Sequence, residues 1–167
     1  VRNMTTTDPA NETEPAAGLR RVDLLSPWPA GMRAMAAFDR SVREATTLEP
    51  SLVHLVKQRA SQLNGCAYCL DLHAKEARAD GESQQRLDVL QAWHEVPLFT
   101  DRERAALALT EAITLVGETH VPDDVVDEAR RHFDPAELSQ VVFYAVVINA
   151  WNRISITSRT PLPPPEG

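Results

Sequence analysis

The sequence predicts an all-α fold, and three observations carry that expectation. Apolar residues make up 43% of the chain but aromatics only 5%, and the apolar content is mostly Ala, Leu and Val, a composition that suits packed helices better than a β-sandwich. Apolar positions recur at helical spacing between recognisable start and stop signals. No two segments read as a strand pair. The β-branched run from Val141 to Ile148 keeps its helical pattern through flanks that reach Glu137 and Trp151, too long for a strand.

Residues 1–20 are rich in Thr, Pro, Ala, Asn and Glu with almost no large apolar side chain, so a disordered tail is expected there. Residues 21–160 then form one domain, a reasonable content for a chain of 167 residues. A first helix is expected from Gly31 to Glu44, after the turn Ser26-Pro27-Trp28-Pro29. The second runs from Pro50, which suits a first helical turn, to Leu63, with Asn64-Gly65 as its stop. Val53, Val56, Ala60 and Leu63 give it an apolar stripe. The third begins near Cys66 and ends near Asp80-Gly81. Leu87, Leu90 and Trp93 make Glu82 to His94 a fourth, amphipathic helix. Thr100 and Glu103 have the spacing of a capping box and open a fifth, to about Gly117. Pro122 to Phe133 is a short helix, and Asp134-Pro135 starts a long one to about Thr157. The centre of that helix is apolar on nearly all sides, so it is buried within the fold or by a partner subunit. Residues 161–167, rich in Pro, are expected to be an extended tail.

A formal charge of -7 argues against nucleic acid as a partner, because phosphate binding needs a basic surface. No stretch is long and apolar enough to span a membrane, and the N-terminal residues lack the pattern of a signal peptide. Two cysteines are too few for a secreted disulfide framework. These readings together predict a cytoplasmic protein with a redox-active cysteine pair.

The pair is Cys66 and Cys69, with His73 one turn beyond. On a helix the three fall at i, i+3 and i+7, within about 60° of one another on one face. Close thiols can form a short disulfide, such pairs often have depressed thiol pKa values, and an imidazole can move protons near neutral pH. Blander readings exist. The cysteines could be inert core residues, or half of a zinc site, although the remaining histidines His54, His94, His120 and His132 are scattered. A thioredoxin-type domain needs a βαβ context that this chain lacks. On the preceding helix His54, Gln58 and Ser61 form a polar stripe that either meets solvent or faces the cysteines. Glu111 interrupts an apolar run and is expected at the surface or paired with an arginine. His120 is expected in a surface loop, and Asn149, Asn152 and Arg153 in hydrogen bonds between helices rather than in catalysis.

The segment Leu52 to Ala77, with Ser61-Gln62-Leu63-Asn64-Gly65-Cys66-Ala67-Tyr68-Cys69 and His73 at its centre, closely resembles the core motif of the alkylhydroperoxidase AhpD-like family, within the carboxymuconolactone decarboxylase superfamily. Glu103 to Thr114 and Ile148 to Arg153 also look like it, and the likeness runs from about Leu24 to Arg159. The resemblance implies an all-α AhpD-like domain that assembles as a trimer or hexamer. It implies a thiol peroxidase that needs no cofactor or metal, acts on hydrogen peroxide or organic hydroperoxides, and is recycled by an external dithiol. Cys69 would attack the peroxide, Cys66 would resolve the sulfenic acid as a disulfide, and His73 would relay protons. Tyr68, between the cysteines, matches one form of the family. The family's far relay residue is a glutamate twelve positions before the first cysteine, and here that position is His54. The departure favours, as an alternative, a disulfide reductase or redox sensor with little peroxide turnover. A vestigial motif on a binding module is a further reading. Muconolactone decarboxylation is the least favoured, since that branch generally lacks the cysteine pair.

Overall fold

The computed structural model describes residues 21–163, and all regular structure among them is helical. The expected tail at 1–20 lies outside the described residues, as do 164–167 of the expected C-terminal tail; 161–163 form no helix. Helix α1 spans Pro29–Ala45, α2 Pro50–Asn64, α3 Ala67–Ala79 and α4 Gln84–Val89. A 3-10 segment, Leu90–Glu95, follows. The chain continues through α5 at Asp101–Thr114, the single turn α6 at Val116–Thr119, α7 at Asp123–His132 and α8 at Pro135–Ser158.

The centre of the molecule is α2, which packs on α3, α5 and α8. Its apolar stripe does not stand alone. His54, Gln58 and Ser61 are buried with it, so the stripe read as polar is not a solvated face. One core layer joins Leu52, Val53 and Val56 of α2 to Ala105, Ala106 and Leu109 of α5 and to Val141, Tyr144 and Ala145 of α8. A second joins Leu55 to Leu90, Trp93, Phe99 and Leu107. Helix α8 also reaches α1, α3 and α7. Its central run is buried at Val141, Tyr144, Ala145, Val147 and Ile148 but leaves Phe143 and Val146 exposed.

The expected capping box at Thr100 forms, and a second, which the sequence reading did not name, opens α8. The Thr100 hydroxyl accepts from the Glu103 N–H while the Glu103 carboxylate accepts from the Thr100 N–H, and Asp134 and Glu137 do the same at α8. Two expected helices come out shorter. The stretch from Glu82 to His94 breaks after Val89, and Ala92 leaves helical geometry. That turn lets the Trp93 indole N–H donate to Glu111 at 2.7 Å while its ring enters the second core layer. Helix α5 stops at Thr114 rather than near Gly117. The Thr119 hydroxyl donates back to the Ala112 carbonyl at 2.7 Å and folds the chain into α6.

Candidate active site

The turn between α2 and α3 sets the site. Gly65 takes φ 67°, ψ 35°, a left-handed conformation that a side chain would strain, and its N–H closes onto Gln62. The Cys66 N–H then donates to the Ser61 carbonyl at 3.1 Å. Cys66 thereby becomes the N-cap of α3, with its sulfur accepting from the Cys69 N–H at 3.4 Å. Cys69 lies in the first turn, and a disulfide joins it to Cys66 with the α-carbons 5.3 Å apart. Both cysteines are almost fully buried, packed with Ala60 and Ile148 and flanked by Tyr68 and Trp151.

A network of amides anchors this turn. The Asn64 side-chain amide donates to Asn149 Oδ1 at 2.9 Å and to Asn152 Oδ1 at 2.8 Å. Asn152 Nδ2 donates to the Ser61 hydroxyl at 3.1 Å, and Asn149 Nδ2 to the Thr114 hydroxyl at 3.0 Å. Arg153 donates to Asn149 Oδ1 at 2.8 Å. Asn149 and Asn152 are therefore the helix-to-helix ties that their positions suggested, whereas Arg153 bonds within α8, to the Asn149 carbonyl and side chain. Asn64 and Ser61 turn their polar groups toward α8.

A cavity of about 270 Å³ opens over the second cysteine. Cys69, His73, Leu72, Tyr68 and Glu76 of α3 line it, with Val147, Ile148, Trp151 and Ser155 of α8, Lys57 of α2, and Asp39 and Arg43 of α1. Cys66 does not line it. So Cys66, Cys69, Tyr68 and His73 are brought together, with Cys69 the cysteine that faces the open space.

His54 is not bonded to them. Its Nε2 pairs with Asp80 Oδ2 at 2.7 Å, tying α2 to the last residue of the α3 turn. It lines two neighbouring cavities, one with Asp80, Glu82, Arg86 and Glu103, the other with Glu76, Lys57 and Tyr144. The carboxylate on His73 comes instead from Glu76, whose Oε2 is 2.8 Å from His73 Nδ1. The hydrogen bond from His73 is the main cause that holds the Glu76 carboxyl below the ordinary glutamate range; partial burial opposes it, and the charges of His73, Lys57 and His54 add to it. Sequence reasoning passed over Glu76, although its i, i+3 spacing from His73 was readable. Glu111, by contrast, is paired as expected, with Arg59 Nε at 2.7 Å. His120 lies exposed at the end of α6. Among the described residues no cluster of three or more His, Cys, Asp or Glu side chains is arranged to hold a metal ion.

This geometry can be set beside known proteins. The profile of the carboxymuconolactone decarboxylase family matches residues 29–112, which include α2, α3 and the cysteine turn. The chain belongs to this family. It is 38% identical to the uncharacterized protein YdfG of Bacillus subtilis over 137 residues, 82% of this chain and 92% of that one. It is also similar to a crystal structure of a protein of unknown function from Agrobacterium tumefaciens, described as a candidate antioxidant defence protein AhpD. That likeness has a TM-score of 0.82 at 38% identity and covers 86% of this chain and 98% of the other. An uncharacterized peroxidase-related protein of Ralstonia eutropha, described as an AhpD core, shares the fold at a TM-score of 0.73 and 18% identity, over 84% of this chain and 74% of that one. The debrominase Bmp8 shares it at 0.71 and 15%, over 84% and 75%. The architecture of this family member is thus AhpD-like. No helix among its described residues is long and apolar enough to cross a membrane.

Proposed function

We propose that this family member is a thiol peroxidase that reduces hydrogen peroxide or small organic hydroperoxides through a disulfide cycle. The observation that carries the reading is the asymmetry of the pair: Cys69 lines a cavity beside His73, while Cys66 is withdrawn behind it as the N-cap of α3. In the reduced protein the Cys69 thiol gives its proton to His73. The thiolate attacks the terminal peroxide oxygen, the O–O bond breaks, and the leaving hydroxide or alkoxide takes the proton back as water or an alcohol. Cys69 is then a sulfenic acid. The Cys66 sulfur attacks it, forming the S–S bond and releasing water. A helix N-terminus favours the thiolate at Cys66 for this step. An external dithiol supplies the two electrons that restore both thiols.

The cavity has room for more than hydrogen peroxide, and Leu72, Val147, Ile148 and Trp151 offer an apolar wall for an alkyl group. The burial of both sulfurs favours a small peroxide over a protein disulfide as oxidant, which weighs against the sensor reading. Exposed Phe143, Val146 and Ile156 on α8 support self-association as a homo-oligomer, a trimer or a hexamer. The proposed setting is the cytoplasm, where such pairs are reducible.

The test is to titrate reduced protein with hydrogen peroxide and with an alkyl hydroperoxide while counting free thiols. Rapid loss of two thiols per chain is expected. Cys69→Ser should abolish peroxide consumption, and Cys66→Ser should accumulate a dimedone-trappable sulfenic acid at Cys69. Slow loss that is indifferent to the peroxide would sink the reading.

A further inference from the structure

We infer that Glu76 is the positioning residue of this site, fixing His73 as the tautomer that accepts the Cys69 proton, and that His54 has left that role for a structural tie to Asp80. The inference rests on the reading of Cys69 as the attacking thiol. A neutral imidazole has one N–H and one lone pair, and its hydrogen-bond partner decides which nitrogen holds which. The Glu76 carboxylate only accepts, so the 2.8 Å contact puts the proton on His73 Nδ1. The lone pair is then on Nε2, free to receive a proton from the thiol. Once Nε2 is protonated, the carboxylate offsets the imidazolium charge. Glu76 itself gains and loses no proton, so the atom balance of the proposed step is unchanged.

The other charged groups around this pair are accounted for. From α2 come Lys57 and His54, from α1 Asp39 and Arg43, and from α8 the Tyr144 phenol. His54 is engaged by Asp80 at 2.7 Å, and Arg43 faces Asp39 at 3.3 Å. Lys57 lines both cavities that Glu76 lines, and its charge favours the ionised carboxyl. Beside the His73 contact, the ionised state that the tautomer argument needs is favoured by the charges of Lys57 and His54 and opposed by partial burial.

The experiment measures oxidation of the fully reduced protein by tert-butyl hydroperoxide across neutral and alkaline pH in wild type, Glu76→Gln, Glu76→Asp and His54→Leu. Glu76→Gln should be slower by about 10- to 100-fold at neutral pH, the size of effect seen when the carboxylate behind a metal-bound histidine is removed. Its rate should climb toward wild type at alkaline pH, where the thiol ionises unaided. Glu76→Asp keeps the charge at a greater distance and should recover part of the loss. The inference is overturned if Glu76→Gln follows wild type at every pH, if it loses rate equally at every pH as a structural defect would, or if His54→Leu loses as much with the same alkaline recovery. Alkylation of the reduced thiols by iodoacetamide across the same pH range reads thiolate without any peroxide. Alkylation that depends on Glu76 in a protein inert to hydroperoxides would retain this inference and discard the peroxidase reading. Alkylation indifferent to Glu76→Gln would discard the inference.

Discussion

At the scale of single residues, the amide of Asn64 holds the site together from behind. It is the donor to two acceptors on α8, and the two would fare differently without it. Asn149 Oδ1 would keep Arg153, whereas Asn152 Oδ1, fully buried, would lose the donor it has here. Asn64→Ala should therefore destabilise the protein by about 1–3 kcal/mol, the cost of orphaning a buried acceptor, as read from urea unfolding. A residue-scale pH effect comes from Glu76. Its carboxyl is depressed in the folded protein, first by the His73 hydrogen bond, so its contribution to stability is complete above the ordinary value of 4.5. That contribution is lost as the pH falls below 4.5 through the lower folded value. Glu76→Gln should flatten this acidic part of the stability curve while leaving neutral pH less affected in slope. The effect is small because the side chain is 43% exposed and screened. The cysteines and His73 were legible in the sequence because one helical face fixes their spacing, and Tyr68 only through the family resemblance. Glu76 was readable too, as the one charged residue of α3 three or four positions from His73, but it was passed over because the expected carboxylate position lay on the preceding helix. His54 was read from its distance to the motif along the chain. Its partner is decided by how the end of α3 packs on α2, which no local pattern encodes.

At the scale of elements, starts were more legible than ends. Thr100, Asp134, Pro50 and the Asn64-Gly65 stop each act within one turn of their own position, and all four boundaries fall where local chemistry puts them. The breaks at Val89 and Thr114 depend on Trp93 reaching Glu111 and on Thr119 reaching back to Ala112, contacts made across turns. The end of α6 also carries conformational strain. His120 and the following Val121 have φ of 53° and 51°, a region that suits glycine. His120 is exposed, so glycine there loses little packing. His120→Gly should raise stability by about 0.5–1 kcal/mol, relief of the left-handed cost less the added chain entropy, as a higher midpoint in thermal unfolding. Val121 packs against the main core layer, and the same change there would trade contact for relief.

At the scale of the whole molecule, α8 contacts α1, α2, α3, α5 and α7. Without it, Leu52, Val53 and Val56 of α2 would lose one wall of their core layer, and Ala60 and both cysteines would lose Ile148. A chain ending before Pro135 should therefore show no cooperative thermal transition and should expose Cys66 and Cys69 to thiol reagents at rates near those of free peptides. A folded, melting fragment would contradict this. Because α8 follows α2 and the cysteine turn with five helical segments between α3 and it, this dependence has a meaning during synthesis. The ribosome releases α2 and the cysteine turn well before the helix that covers them. For that interval the nascent chain carries an open dithiol, accessible to oxidants and to other thiols. Its two sulfurs are enclosed only once α8 has been made and Ile148 can pack on them.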